Sequence, residues 1–377
     1  MRGVYVHVPY CTSRCGYCDF NTYVAPEAER AGYAALAVLE IERAARAWPG
    51  PVDTVFFGGG TPTLLAPADL AAILRAIDQR FGLVAGAEVT TEANPESVDA
   101  AALAALRSAG FTRISLGMQS AVPHVLAALD RVHTPGRAVE AAYDARAAGF
   151  EHVSLDLIYG TPGESDDDWS TSINAVLSAP IDHVSAYALT VERGTALHAK
   201  VRRGDIAAPD DDVLAERYAI ADEAFSAAGL EWYEISNWAR GGRGENECRH
   251  NLGYWHRDGE WWGIGPGAHS FAGGVRWWNV RLPAEYARRL HAGEPPEAGR
   301  EEIDEDTRAF ERVMLELRMR AGLDLAAAGG AAAAPDLAAD GLLDADALAA
   351  GRAVLTRRGR LLADRVVIAL TSESVPA

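Results

Sequence analysis

Six times in its first 230 or so residues the chain passes from a short β-rich run into a longer Ala/Leu-rich stretch of helical period. The runs are Gly3–Val8, Thr54–Phe57, Glu88–Glu92, Arg113–Gly117, His152–Ile158 and His183–Leu189, with helical patterns at about 28–47, 67–80, 99–109, 136–148, 167–178 and 211–228. Strands that alternate with helices predict parallel pairing through right-handed crossovers. The expected class is therefore α/β, either an open doubly wound sheet or a barrel. Strand ends discriminate further. Gly58-Gly59-Gly60-Thr61-Pro62 follows the second strand, Glu92 and Asn94-Pro95 close the third, and Gly117-Met118-Gln119-Ser120 closes the fourth. Asp156 lies within the fifth strand, and Tyr187-Ala188 within the sixth. Polar and glycine residues at successive C-terminal strand ends are the layout of a barrel-type active site.

The first strand runs directly into Cys11, Cys15 and Cys18, so three of the four cysteines open onto that same face. A closed zinc site wants four ligands, commonly from separated pairs. A cubane [4Fe–4S] cluster held by three cysteines leaves one iron open to another ligand. The alternative is a zinc knuckle completed by His7 or Asp19. An odd trio with one distant partner makes no disulfide framework.

Net charge is −18, from 53 acidic and 35 basic residues, which argues against general affinity for nucleic acid or an anionic membrane. The chain shows no apolar signal core and no run of membrane-spanning length. A cytoplasmic protein with reduced thiols is expected.

Tyr5-Val-His7-Val-Pro9-Tyr10-Cys11, with Cys15, Cys18 and Gly58-Gly-Gly-Thr-Pro62, resembles the radical S-adenosylmethionine superfamily. Glu92-Ala-Asn-Pro95, Gly117-Met-Gln119-Ser, Asp156-Leu-Ile-Tyr-Gly160-Thr-Pro162 and His250-Asn251-Leu-Gly-Tyr254-Trp255 are similar to one branch of it. That branch contains oxygen-independent coproporphyrinogen III oxidase and a related family of heme chaperones. The resemblance covers about 1–320 and implies a partial (β/α)6 barrel. It also implies S-adenosylmethionine chelated to the open iron, with reductive cleavage to a 5′-deoxyadenosyl radical as the cofactor's chemistry.

By motif match, Tyr5, Gly59 and Glu92 contact the cluster-bound cofactor. Tyr17, Gly60, Thr61, Gln119, Arg131, Asp156 and Ala188 match a second S-adenosylmethionine site of the oxidase. Glycines at 58–60 suit close backbone approach of a ligand. For Glu92 and Asp156 the alternative is a structural carboxylate paired with Arg113 or Arg131, since a buried carboxylate needs some partner. Arg131, at a helix end, has a surface alternative.

His250 is implied as a heme-binding residue with tryptophans against the macrocycle; the alternative is an imidazole hydrogen-bonded inside an aromatic core. Cys248 reads as a buried thiol, with heme ligation the alternative. His7 is read as structural and facing the cluster loop, and His269 falls where the oxidase family has a cofactor contact. The oxidase carries a further cysteine where this chain has Phe20, and an N-terminal extension where this chain reaches Cys11 almost at once. Both differences, with the HNxxYW motif, imply a heme chaperone rather than the oxidase. Such a protein would hold a [4Fe–4S] cluster, bind S-adenosylmethionine and heme, and deliver heme to respiratory hemoproteins. The alternatives are propionate decarboxylation of coproporphyrinogen III, or radical chemistry on another substrate. Implied partners are a membrane-associated hemoprotein client and a small electron-transfer protein, with no nucleic acid.

The expected organisation is a core barrel at 1–230, an aromatic-rich accessory region at 231–296 containing HNxxYW, and a small C-terminal domain at 297–377. That last domain is expected to be mainly helical or winged-helix-like. The charged run 297–306 reads as a linker or helix start, 307–320 as an amphipathic helix, and 324–350 as two short helices. Residues 352–368 read as a helix end, a turn and a β-strand.

Overall fold

The computed structural model describes residues 1–131, 134–256, 258–326, 328 and 332–372. Six strands form its parallel centre: β1 (Arg2–Val8), β2 (Val52–Gly59), β3 (Leu83–Ala93), β4 (Arg113–Gln119), β5 (His152–Tyr159) and β6 (His183–Ala188). Helices α1 (Tyr33–Ala47), α2 (Pro67–Phe81), α3 (Ala100–Ala109), α4 (Arg137–Ala147), α5 (Asp166–Ser178) and α6 (Asp211–Ala227) follow these strands in turn, each touching the next. Each of the six expected barrel strands and each of the six expected helical stretches has its counterpart here.

The strands split by residue parity. On β4, Ile114, Leu116 and Met118 join the main hydrophobic core, while Arg113, Ser115, Gly117 and Gln119 face a cavity. On β5, Val153, Leu155 and Leu157 join the core, while Ser154, Asp156 and Ile158 face the cavity. A period of two within each strand puts the apolar set under the helices and the polar set inside the curve of the sheet. This is the wall of a partial (β/α)6 barrel.

Among the described residues the sheet has twelve strands. β7 (Leu230–Glu234) and β8 (Asn237–Arg240) extend the β6 edge, with β8 antiparallel to β6. At the opposite edge, β9 (Glu260–Ile264) pairs parallel with β1, and β10 (His269–Ala272), β11 (Val275–Asn279) and β12 (Glu297–Glu302) continue antiparallel. The charged run 297–306 is therefore divided: Glu297–Glu302 is an edge strand rather than a linker, and its end is a helix start, with Asp304 capping the helix that begins at Glu305. The acidic side chains of the strand stay in water, which suits an edge that must not pair with another chain. The amphipathic helix spans Glu305–Glu316.

A second hydrophobic core lies in 313–370, built around Leu317, Leu323, Leu342, Leu355 and Val366. The two short helices fall at Ala334–Ala339 and Ala345–Ala349. The strand expected in 352–368 is corrected: only Arg352–Ala353 is extended, and Arg357–Leu361 and Ala363–Thr371 are helices. Ala363, Val366, Val367 and Leu370 are the buried residues of the last helix, a helical spacing that outweighs the β-branched pair. This unit is tied to the barrel through Asp222 of α6, whose two oxygens accept from Arg360 at 2.8 Å each. Trp238 Nε1 donates to the same carboxylate at 3.0 Å.

Candidate functional site

The cysteine loop is held by its own protein contacts. Tyr10–Cys11 pairs with Tyr23–Val24, and the Cys18 amide donates to the Cys15 carbonyl at 3.2 Å. His7, buried on β1, anchors the far side of the loop: its Nε2 meets the Asn21 carbonyl at 2.9 Å, and its Nδ1 meets the Tyr5 hydroxyl at 3.0 Å. With both nitrogens engaged, His7 offers no lone pair to a metal.

Cys11, Cys15 and Cys18 are half-buried and free of disulfides. Burial pushes the Cys11 and Cys18 thiols up. Among the described residues no three His, Cys, Asp or Glu side chains converge closely enough to hold a single ion. A four-iron cluster is several atoms across and does not need them to converge on one point.

The thiols open into a cavity of about 730 Å³ at the C-terminal ends of β1–β6. Tyr17, Gly59, Gly60, Thr61, Glu92, Gln119, Arg131, Asp156, Ala188 and His250 line it together with all three cysteines. Tyr5 does not; it lines an adjoining cavity of about 600 Å³ whose wall of Asp19, Phe20 and Tyr254 is common to both.

Charge in the larger cavity is finely divided. The Glu92 carboxyl accepts from the Gly59 amide at 3.2 Å, and burial, reinforced by the Asp156 carboxylate, pushes it up to about 8. Asp156 is also raised by burial, against the pull of serine hydroxyls; Ser115 Oγ lies 2.8 Å from each of its oxygens. Arg131 donates to the Gly117 carbonyl at 2.9 Å and approaches Cys15 Sγ at 3.7 Å. It is a cavity residue rather than a surface one. Arg113, a candidate partner for Glu92, is instead committed to Glu88 at 3.2 Å.

Glu92→Gln should flatten the pH dependence of stability. A carboxyl raised from 4.5 to about 8 stabilises the fold fully below about 4.5, and that contribution is lost as pH rises through about 8. Denaturation midpoints measured from pH 5 to 9 should fall less steeply in the variant; identical slopes would refute a raised Glu92.

A sequence profile of the radical SAM superfamily matches residues 5–176. The heme chaperone HemW of Mycobacterium tuberculosis is 56% identical over 373 residues, 97% of this chain and 93% of that protein. The chain belongs to the HemW family of the radical SAM superfamily. HemW of Bacillus subtilis is 34% identical over 325 residues, covering 86% of this chain and 85% of its own. Among solved structures, Escherichia coli coproporphyrinogen III oxidase (HemN) superposes with a TM-score of 0.83, covering 99% of this chain and 90% of that one. At 23% identity that likeness speaks to fold alone.

The HNxxYW motif on α7 (Arg249–Trp255) has a structural explanation in this HemW-family chain. His250 is 2% exposed and stacks on Phe56 with ring centroids 5.2 Å apart. Its Nδ1 lies 2.8 Å from Thr54 Oγ1, and its Nε2 lies 2.9 Å from the Tyr254 hydroxyl. In this conformation neither nitrogen is free for a heme iron. Cys248 is a buried thiol directed at Glu88, pushed up by burial.

Each glycine of the Gly58–Gly60 run has a reason within the protein. A Cβ on Gly58 would meet the Phe56 ring at 2.8 Å, one on Gly59 the His7 ring at 2.5 Å, and one on Gly60 the Tyr10 carbonyl at 2.5 Å. Gly59 also has φ +105, a conformation that L side chains rarely adopt. Sequence reasoning missed Thr90, Ser115, Ser154, His183 and Ser185 as cavity residues. Their signal was available: polar residues at alternate positions inside apolar strands.

Proposed function

We propose that this HemW-family chain is a cytoplasmic heme carrier that holds a [4Fe–4S] cluster on Cys11, Cys15 and Cys18 and binds S-adenosylmethionine beside it. The supporting observation is the gathering of three thiols and the motif residues around one cavity. Unpaired polar atoms on the same wall fit a polar ligand: Thr90 Oγ1, Arg113 Nη1 and Arg131 Nε are buried without a hydrogen-bond partner. Such a cluster, when bound, supplies an electron to S-adenosylmethionine.

The protein's share is placement. Gly59 and Gly60 keep the strand end open, with Tyr5 at its back. Glu92 and Asp156 offer acceptors to an ammonium or hydroxyl group, and Arg131 offers a cation to a carboxylate. Tyr17, Thr61, Gln119 and Ala188 complete the wall. A neutral Glu92 at pH 7 becomes ionised when a cation binds beside it, which releases a proton. The heme-chaperone role is carried over from the relatives' name; respiratory hemoproteins, including membrane-associated ones, are the recipients proposed for it, with a small electron-transfer protein as reductant source. No helix among the described residues is long and apolar enough to cross a membrane.

Protein purified anaerobically should contain iron and sulfide in cluster proportion, retain S-adenosylmethionine in equilibrium dialysis, and titrate with hemin. With reductant and coproporphyrinogen III it should form no decarboxylated product. Zinc without sulfide would overturn the cluster, and steady protoporphyrinogen IX formation would overturn the carrier reading.

A further inference from the structure

The cavity of about 600 Å³ beside the cluster loop has walls unlike those of its neighbour. Phe20, Tyr254, Trp261 and Trp278 give it a largely aromatic surface, with two imidazoles, His7 and His269, and one guanidinium, Arg281. His269 opens β10 opposite Trp278 of β11, and the two rings stack at 5.9 Å with 26° between their planes.

Four imidazoles line the two cavities, and three are spoken for. His7 and His250 have both nitrogens engaged as above; His183 meets Ser154 Oγ and the Tyr233 hydroxyl, each at 2.8 Å. Among the described residues the His269 ring nitrogens have no hydrogen-bond partner, and the residue is exposed. Partial burial, with Arg276 and Arg281 nearby, holds its pKa below the usual histidine value, so the neutral ring keeps one nitrogen lone pair free at neutral pH. A free, neutral imidazole at the mouth of an aromatic slot is the donor that a ferric or ferrous porphyrin takes axially. Arg281 touches its surroundings through Nε, 3.4 Å from Asn21 Oδ1, which leaves its terminal nitrogens for a carboxylate.

We propose that the smaller cavity seats an iron porphyrin, with His269 as axial ligand and the Trp278 ring stacked on that imidazole, Tyr254 against the macrocycle, and Arg281 on a propionate. The assignment rests on the heme-carrier reading above and goes beyond it by moving the iron away from the HNxxYW histidine. Asp19 and Phe20 line both cavities, so the bound porphyrin would share a wall with the cluster loop.

The test is hemin titration, followed optically, of cluster-loaded wild type, His269→Ala and His250→Gln, with melting curves on each. His269→Ala should weaken hemin binding at least tenfold and lose the imidazole-ligated spectrum, which free imidazole should restore. His250→Gln should lower the melting temperature and keep that spectrum. Wild-type affinity and spectrum in His269→Ala, or loss of the imidazole signature in His250→Gln, would overturn the assignment while the carrier reading stands. Failure of wild type to bind hemin would remove both.

Discussion

Cys15→Ala protein, purified and reconstituted without oxygen, should hold well under one iron per chain where wild type holds about four. It should also lose S-adenosylmethionine binding, since the open iron goes with the cluster. The loop itself should survive. His7 anchors Asn21, Tyr10–Cys11 is paired with Tyr23–Val24, and the Leu197 amide donates to the Gly16 carbonyl at 2.8 Å. None of these contacts uses the Cys15 side chain, so the melting temperature of the variant should stay close to that of cluster-free wild type. The comparison therefore separates loss of the cluster from loss of the fold. Burial keeps Cys11 and Cys18 protonated more strongly than free thiols, so iron must displace those protons as it enters. Cluster assembly should accordingly be favoured by higher pH. Iron and sulfide analysis with the absorption spectrum decides the matter. A Cys15→Ala protein with a full complement of iron would remove Cys15 from the ligand set.

Legibility differed between the barrel and what surrounds it. The barrel could be read because each strand carries its own pattern and each crossover helix its own period, both local signals. Strand-end residues could be read for the same reason: parallel strands that all run one way bring Thr61, Glu92, Gln119 and Ala188 to one rim without any tertiary detail. The edges were harder. Glu297–Glu302 carries a run of charge with little apolar content, and only pairing with β11 makes it a strand. Arg365-Val-Val-Ile looked extended because β-branched residues favour strands, yet the spacing of its apolar side chains decides for a helix. His250 illustrates a different limit. A motif names a residue but not its partners, and two hydrogen bonds from Thr54 and Tyr254, both set by tertiary packing, determine what that imidazole can do.

Those partners depend in turn on a buried ion pair, and Glu88→Ala should be the most destabilising single change in the site, by about 3–5 kcal/mol. Glu88 and Arg113 have side chains 4% and 2% exposed and meet at 3.2 Å. Glu88 also accepts from the Arg249 amide at 3.1 Å and the His250 amide at 2.9 Å, so one carboxylate satisfies the first turn of α7. Arg113 adds bonds to the Asn246 and Glu247 carbonyls at 3.0 and 3.1 Å, which fix the chain just before that helix. Burial alone would raise the Glu88 pKa; Arg113 and the two amides overcome it and hold the carboxyl below its usual value. Its contribution is present above about 4.5 and is lost as pH falls through the lowered folded-state value.

Truncation leaves a guanidinium buried without its counter-ion and frees the helix that carries His250 and Tyr254. Urea denaturation at pH 7 should show the loss, and amide exchange should be fastest-gaining in 246–255. Glu88→Leu combined with Arg113→Met should recover much of the stability, because removing both charges also removes the desolvation cost of the survivor. The α7 amides would still lack their acceptor, so exchange there should stay fast in the double variant. Recovery of stability without recovery of helix protection would identify Glu88 as the group that positions the HNxxYW segment; a loss under 1 kcal/mol in Glu88→Ala would contradict that role.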